Sequence, residues 1–575
     1  MTTARFGATA IVAGLLVGLS VVHCGGDGSN GDAAGDGGGG DGSATSDGGG
    51  GGDGPMIGDA YMTPDTGVPI EAGDPGMVDI TFDVHANIDV HAISPYIYGL
   101  NDGSQAAATH ATIIRSGGNR LTAFNWENNA SNAGSDYQFE NDSFLCTGAG
   151  CDAPGTMLKS FVDGAVAAGA AALVTVPIVD YVSADKTPAG DVRNSGSNYL
   201  STRFKQNKAA KGSAFANPPN NADGFVYQDE MVNWLKVTYP NAKIHYLLDN
   251  EPDLWSSTHA EIHPSPVTYD ELKTRNVAYA AAIKAVAPTA MVWGPVSYGW
   301  AGYVNLQGAS DANGRDFLDY YLDQMKLAEQ NAGKRLVDGL DLHWYPEAQG
   351  GSVRIVDPGA TPALVTAREQ APRSLWDSTY SETSWIVQSS THGPINLIPR
   401  TKAKIAAHYP GTKLAFTEWN YGGGATISGV IASADVLGIF GRDGVDMAMM
   451  WPMGDESFTY NAFKIFRSYD GQGKAFGDTS VQATTTDVPG SSVYASIDSG
   501  NVARMVLVAI NKATTDKIAG IRISHSTSYM HANVYTVTAA GGKNVVKGMP
   551  LAAVATNAFR YTMPAQSVTL IEPVP

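Results

Sequence analysis

Residues 244–255 read IHYLLDNEPDLW. Ile244, Tyr246, Leu247 and Leu248 form an apolar run of strand length, and the run stops at an amide, a carboxylic acid and a proline, Asn250-Glu251-Pro252. Proline cannot continue a central ladder and biases the residue before it away from the α region. Glu251 is therefore expected in an extended conformation where the strand leaves its sheet. A parallel barrel keeps its chemistry at that end of its strands. Alone, the stretch reads equally well as a strand followed by a turn, so its neighbours have to decide.

On either side, short apolar runs alternate with helical periodicity. The runs are 93–101, 112–117, 172–179, 244–250, 291–297, 340–345, 414–418 and 446–451; helical patterns occupy 156–168, 228–238, 268–286, 311–330, 396–408 and 428–440. Parallel strands joined by crossover helices need this spacing, and eight such units make an α/β chain with a (β/α)8 TIM barrel carrying loop insertions. A doubly wound open sheet is the structural alternative. It lacks support, because Gly117-Gly118 follows a strand but leads into Asn119-Arg120 without the third glycine of a phosphate-binding turn.

Beyond about residue 470 the pattern changes to short alternating segments, 492–497, 502–510, 521–524, 533–538 and 567–572, as in a small antiparallel β-sandwich. Residues 81–90 alternate in the same way and are expected to complete that sandwich from the N-terminal side. The domain plan is thus a strand in 78–92, a barrel in 93–470 and a sandwich in 471–575.

Residues 1–24 read as a secretory signal, with Arg5 ahead of the apolar run IVAGLLVGLSVV, which is too short to span a bilayer comfortably. Cys24, followed by glycines, resembles a bacterial lipoprotein processing site at which the cysteine is acylated. His23 stands where such sites usually carry a small residue, and simple cleavage with secretion is the alternative. Either way the product is exported, to the cell surface or the medium, and touches a membrane only through a lipid at Cys24. Residues 25–77 are rich in Gly, Asp and Pro and have nothing to bury, so they read as a flexible acidic tether. Cys146 and Cys151 are the other cysteines, and in an oxidising compartment their spacing points to a local disulfide.

Composition excludes several functions. With 575 residues, 43% hydrophobic and 16% charged, the chain is not disordered. A net charge of -19 argues against nucleic acid or an anionic membrane bound through a basic patch, and leaves a neutral polar substrate unaffected. Twenty-five tyrosines and ten tryptophans supply flat faces suited to sugar rings, although core packing uses most such residues.

A second strand end matches the first. Leu414-Ala415-Phe416-Thr417-Glu418-Trp419 runs apolar into an acid and then opens into Gly422-Gly423-Gly424. Glu251 on strand four and Glu418 on strand seven would face one mouth, which is the equipment of glycoside hydrolysis: one acid protonates the leaving oxygen, the other attacks the anomeric carbon or activates water. An ionised Glu418 would keep Glu251 protonated, and esterification of Glu418 would free Glu251 to act as base. Asn250 is placed to hold a sugar hydroxyl, Tyr345 to orient Glu418, and Arg115 to balance the carboxylates. His343, Trp344, Trp126 and Glu127 are candidates to line the cleft, and Trp451 to stack under a sugar.

These residues lie within ordered motifs: Tyr98-Gly99-Leu100-Asn101, Arg115-Ser116-Gly117-Gly118-Asn119-Arg120, Asn125-Trp126-Glu127-Asn128, Asp249-Asn250-Glu251-Pro252, Thr417-Glu418-Trp419-Asn420-Tyr421-Gly422 and Ala434-Asp435-Val436-Leu437-Gly438. Together they resemble glycoside hydrolase family 44 over nearly all the folded chain. The resemblance implies a barrel with a β-sandwich and retaining, endo-acting hydrolysis of β-1,4-glucans such as xyloglucan and carboxymethylcellulose. By motif, Glu251 is the acid/base and Glu418 the nucleophile. No cofactor is implied for catalysis; structural calcium occurs in some members, its ligands here are unknown, and the acidic loop Asp136, Glu140, Asp142 is the place to look. Trp419 departs from the residue more usual at its position, which bears on substrate preference. The partner implied is a β-glucan polysaccharide acted on by a monomer. Rival readings are a xylanase, mannanase or arabinofuranosidase on a similar frame, and a surface glycan-binding lipoprotein without activity.

Overall fold

The computed structural model describes residues 63–575 apart from Asp102, so the signal segment, Cys24 and most of the tether lie outside the described residues. Strand β1, Ile80–His85, comes first. Eight strands then follow: β2 Gly99–Leu100, β3 Ile113–Ser116, β4 Ala171–Val176, β5 Ile244–Leu248, β6 Val292–Ser297, β7 Gly339–Trp344, β8 Lys413–Trp419 and β9 Met447–Met450. They close in sequence order into a barrel in which every neighbouring pair is parallel. Its interior is filled by Ile113, Leu173, Leu247, Trp293, Ala415, Met447 and Met449. Gly339 belongs to this packing, because a Cβ there would lie 2.1 Å from the Trp293 ring.

The expected helices form with small shifts. The one expected from residue 311 begins instead at Phe317, capped by Asp316. Asp311 is engaged elsewhere: its carboxylate accepts the backbone N–H groups of Tyr269 and Asp270 and so caps the neighbouring helix Tyr269–Val286. The helices Pro362–Gln370 and Tyr460–Arg467 are additional to those expected, as are four shorter ones, Ala106–Thr109, Tyr199–Thr202, Trp255–Thr258 and Trp300–Asn305.

Seven further long strands build the sandwich, β10 Thr479–Thr485, β11 Ser491–Asp498, β12 Asn501–Asn511, β13 Lys517–Ser524, β14 His531–Thr538, β15 Ala558–Met563 and β16 Ser567–Val574, with three two-residue strands, His91–Ala92, Val546–Lys547 and Leu551–Ala552, at their sides. The strand order is β14-β16-β12-β11-β10-β1-β13-β15. Strand β10 joins the two layers: Thr479 to Val481 pair with β11, and Ala483 to Thr485 pair with β1. The N-terminal strand does complete the sandwich, but it runs parallel to β13, so the sheet is mixed rather than wholly antiparallel. Residues assigned to the tether also reach this unit, since Ile70 bridges His525 and the Gly73 N–H donates to the Thr556 carbonyl.

Strand β12 reads as a continuous apolar run because both its faces are covered. Met505, Leu507 and Ala509 enter the sandwich core, while Val506, Val508 and Ile510 join the core shared with the barrel helices. Helix Ile427–Arg442 is buried on nearly every side for the same reason. Its Gly438 lets Tyr494 of β11 approach, and its Asp435 accepts from Tyr494 Oη at 2.6 Å and Lys512 Nζ at 2.7 Å.

Candidate active site

Glu251 and Glu418 both emerge at the C-terminal mouth of the barrel, by different backbone devices. Beyond β5 the chain turns through two left-handed residues, Asp249 at φ 71° and Glu251 at φ 47°, ψ 55°. The extended conformation expected before Pro252 is not adopted. The reason lies in Asp249, whose buried carboxylate accepts from Thr122 Oγ1 at 2.6 Å, Ile178 N at 2.6 Å, Asn250 N at 2.8 Å and Trp255 Nε1 at 3.3 Å. Those bonds, with the Glu251 N–H donating to the Val296 carbonyl at 3.1 Å, hold a turn that costs about 1–2 kcal/mol per left-handed residue. Pro252 then opens a short 3-10 turn.

On β8 the device is a bulge. Phe416 pairs with Leu342 and Glu418 pairs with His343, so Thr417 is an extra residue in the strand. Both Thr417 and Glu418 turn inward, whereas Phe416 and Trp419 pack outward on Phe440.

Around Glu418, Arg115 donates from Nη1 to Oε1 at 2.6 Å and Tyr345 donates its hydroxyl to Oε2 at 2.6 Å. Arg115 is buried, donates from Nη2 to Asn250 Oδ1 at 2.6 Å, and lies under Gly117, where a Cβ would sit 2.2 Å from the guanidinium carbon. Asn250 Oδ1 also accepts from Gly118 N at 3.2 Å, which leaves its amide nitrogen to donate to a ligand. Around Glu251, His343 Nδ1 lies 2.8 Å from Oε1. The same Nδ1 is 3.6 Å from Glu418 Oε2, and Glu251, His343 and Glu418 each place one donor atom within 4.8 Å of the others.

The two acids are biased in opposite directions. Burial pushes the Glu251 pKa well above the carboxylate value, and the charge of Glu418 adds to the effect. Burial also works against ionisation of Glu418; His343 when protonated, the Arg115 guanidinium and the Tyr345 hydrogen bond oppose it and set the pKa below the usual value, and with His343 neutral the last two remain. Burial lowers the His343 pKa. With a guanidinium already on Glu418, this cluster is built to handle protons rather than to hold a cation. In the acidic loop, Asp142 pairs with Arg120 and Ser131, Glu140 accepts from Gly190 N at 3.1 Å, and Asp136 stands beside His259 and Arg120.

Arg115, Asn250, His343 and Tyr345 therefore meet at the carboxylates. Trp451 is half-buried against Gly118, whose φ of 94° and lack of a Cβ make room for the indole, and Gly118 in turn donates its N–H to Asn250. Four expectations are corrected. Trp126 is fully buried, donates Nε1 to the Tyr227 carbonyl and packs on Trp234, so it is a core residue. Glu127 is buried beneath Lys205, 3.1 Å from its Nζ, and bonds to neither acid. Trp344 points out of the barrel, as strand alternation requires between His343 and Tyr345, and donates to Tyr421 Oη at 3.2 Å. Trp419 is enclosed by Phe440 and Phe463 and cannot touch a substrate. Cys146 and Cys151 are disulfide-bonded.

Asp249, Asp341, Thr417 and Tyr298 were missed. Tyr298 is 37% exposed and lies close enough to Glu251 to feel its charge. Asp249 lies two residues before the acid in sequence; for the others only barrel register could have served as a signal.

Residues 130–348 match the model of glycoside hydrolase family 44. The chain is 42% identical over 508 residues to endoglucanase A of Paenibacillus lautus, covering 85% of this chain and 72% of that one. The chain belongs to glycoside hydrolase family 44. Among solved structures, the family 44 xyloglucanase of Paenibacillus polymyxa with xyloglucan is 41% identical, covers 86% of this chain and 99% of its own, and superposes with a TM-score of 0.82. The family 44 endoglucanase of Clostridium thermocellum is 40% identical, with a TM-score of 0.82 over 87% of this chain and 100% of its own. This family 44 member is accordingly a glycoside hydrolase, and among its described residues no helix is long and apolar enough to cross a membrane.

Proposed function

We propose that this family 44 enzyme is an exported, retaining endo-β-1,4-glucanase acting on cellulose-type chains and xyloglucan. Glu251 is its acid/base and Glu418 its nucleophile. The reading rests above all on carboxylate oxygens of the two acids lying within 4.8 Å of each other. Retaining enzymes keep their carboxyls about 5–5.5 Å apart, whereas inverting ones leave about 6.5–9.5 Å for a water. Relatives named endoglucanase and xyloglucanase support the substrate class.

In the first step Glu418, ionised and aimed by Arg115 and Tyr345, attacks the anomeric carbon while Glu251 protonates the departing oxygen. Once Glu418 is an ester its charge is gone, and Glu251 takes a proton from the water that releases the sugar. The Asn250 amide nitrogen is free to hold a hydroxyl of the reacting sugar, and Trp451 offers a platform for a ring. A glycan-binding protein without turnover would need neither an arginine on one acid nor a histidine on the other.

The test is the stereochemistry of hydrolysis. Proton NMR of early products from xyloglucan or a cello-oligosaccharide should show the β-anomer first; an α-anomer first would rule out retention. Azide should restore turnover of an activated aryl glycoside by Glu251→Ala and give a β-azide. Product analysis on a panel of glucan, xylan and mannan decides preference. Export through the signal, with acylation at Cys24, is part of the proposal; mass spectrometry of the mature N-terminus should find the lipid there, and an unlipidated N-terminus elsewhere would remove the anchor.

A further inference from the structure

His343 does more than adjoin Glu251. Its Nε2 lies 3.2 Å from Thr417 Oγ1, and Thr417 Oγ1 lies 2.6 Å from Asp341 Oδ2, with Thr417 N donating to Asp341 Oδ1 at 3.1 Å. Asp341, His343 and Thr417 are all fully buried. Burial raises the Asp341 pKa, but Thr417 donates to its carboxylate from both N and Oγ1, which favours the ionised form. A threonine hydroxyl has one hydrogen, and an ionised Asp341 can only accept, so that hydrogen belongs to Asp341. The hydroxyl oxygen must then accept from Nε2–H. Neutral His343 therefore carries its proton on Nε2 and turns the Nδ1 lone pair towards Glu251.

We infer that Asp341 and Thr417 are positioning residues for hydrolysis, fixing the Nε2–H tautomer of His343 so that its Nδ1 lone pair keeps a proton on Glu251. The inference rests on Glu251 being the acid/base. A lone pair 2.8 Å from Oε1 penalises the carboxylate and accepts a hydrogen bond from the carboxylic acid. A glycosidic oxygen arriving in the cleft competes for that proton. The O–H bond of Glu251 breaks as an O–H bond forms on the leaving oxygen, which also takes the electron pair of the cleaved C–O bond. After glycosylation the same lone pair favours Glu251 regaining a proton from water.

The surroundings fit this assignment. Glu418 from β8 and Asp136 from its loop face Glu251 with like charge, and Asp253 after β5 feels that charge in turn. Arg115 from β3 is the one cation among them, and its hydrogen bonds go to Glu418, Asn250 and Asn101 rather than to Glu251. Tyr345 donates to Glu418, and Tyr303 donates to the His343 carbonyl, fixing the backbone that carries the ring. The β8 bulge is what brings Thr417 inward beside Glu418. Without it, alternation would let only one of the two face the barrel.

The test uses the full chain. Asp341→Asn can donate to Thr417, which then donates to Nε2 and reverses the tautomer; Nδ1–H would stabilise the Glu251 carboxylate. The basic limb of kcat/KM on xyloglucan should move to lower pH by about one unit or more. Thr417→Val should do the same, and Thr417→Ser should keep the wild-type limb. Turnover of a dinitrophenyl glycoside, whose leaving group needs no proton, should stay within about threefold of wild type in the glycosylation step. An unmoved basic limb in a folded Asp341→Asn, or equal losses on glucan and aryl substrates, would overturn the inference. Should Asp341→Asn not fold, ring-15N NMR of the wild type, assigned with His343→Gln, reads the tautomer directly; an Nδ1–H imidazole or an imidazolium at neutral pH overturns it. Undiminished glucan hydrolysis by Glu251→Ala would instead defeat the acid/base reading itself.

Discussion

Glu251 and Glu418 are the same residue type at the same level of one barrel, yet their surroundings prepare them for opposite chemistry. Glu418 receives a guanidinium and a phenol, and sits on a strand whose bulge aims it rigidly. Glu251 receives an imidazole nitrogen and hangs from a left-handed turn held by the Asp249 carboxylate. Donors make a nucleophile and an acceptor makes an acid, so the division of labour lies in the partners rather than in the carboxyls.

The sharpest way to break this asymmetry is Glu418→Gln. Turnover should fall by about 10^4-fold or more on every substrate, because no nucleophile remains. In the same variant the Glu251 pKa, followed by 13C NMR, should drop, since a like charge has been removed; an unchanged value would mean that Glu418 has no part in raising it. Arg115→Lys keeps the charge and loses the fork that spans Glu418 and Asn250. It should lose about 10^2–10^3-fold in kcat and move the acidic limb of the pH profile upward, because a hydrogen bond to the ionised form is lost. Gly118→Ala leaves both acids alone but drives a methyl to 2.6 Å from the Trp451 ring at a φ of 94°. It should raise KM about tenfold with a smaller change in kcat, as measured by steady-state kinetics.

The smallest effect is one of stability. Between the unfolded carboxyl value, about 4.3, and its raised folded value, Glu251 is protonated when native and ionised when unfolded, so its contribution to stability falls as pH rises through that window. Glu418, depressed in the fold, contributes stability that is present above the unfolded value and lost as pH falls through the folded one. Glu251→Gln should therefore melt about 2 °C or more above wild type at pH 7, with the gap closing towards pH 4. A gap that does not depend on pH would show that burial of the charge is not its source.

The barrel and both acids were legible because strand exits combine apolar runs with an abrupt polar residue. The corrected assignments have different local causes. Trp344 stands between His343 and Tyr345, and a strand sends alternate side chains to opposite faces, whereas Trp126 and Glu127 sit in a turn that is itself buried. Thr417 shows the converse: alternation places it or Glu418 in the mouth, and only a bulge admits both. The Gly117-Gly118 pair lacks the third glycine of a phosphate-binding turn. Its glycines answer a different need, close approach to Arg115 and Trp451, which no local motif expresses.

Strand β1 carries a consequence for how the molecule is made. Asp83 lies against Thr484, which follows it by 401 positions, and the other neighbour of β1 is later still. At synthesis rates of about 5–20 residues per second, β1 waits roughly 20–80 s for either partner. Throughout that interval Ile80, Phe82 and Val84 have no sheet to enter. The barrel can close in the meantime from segments that follow one another directly. The first strand among the described residues is thus among the last to find its place, because the sandwich can assemble around it only after both its neighbours have been made.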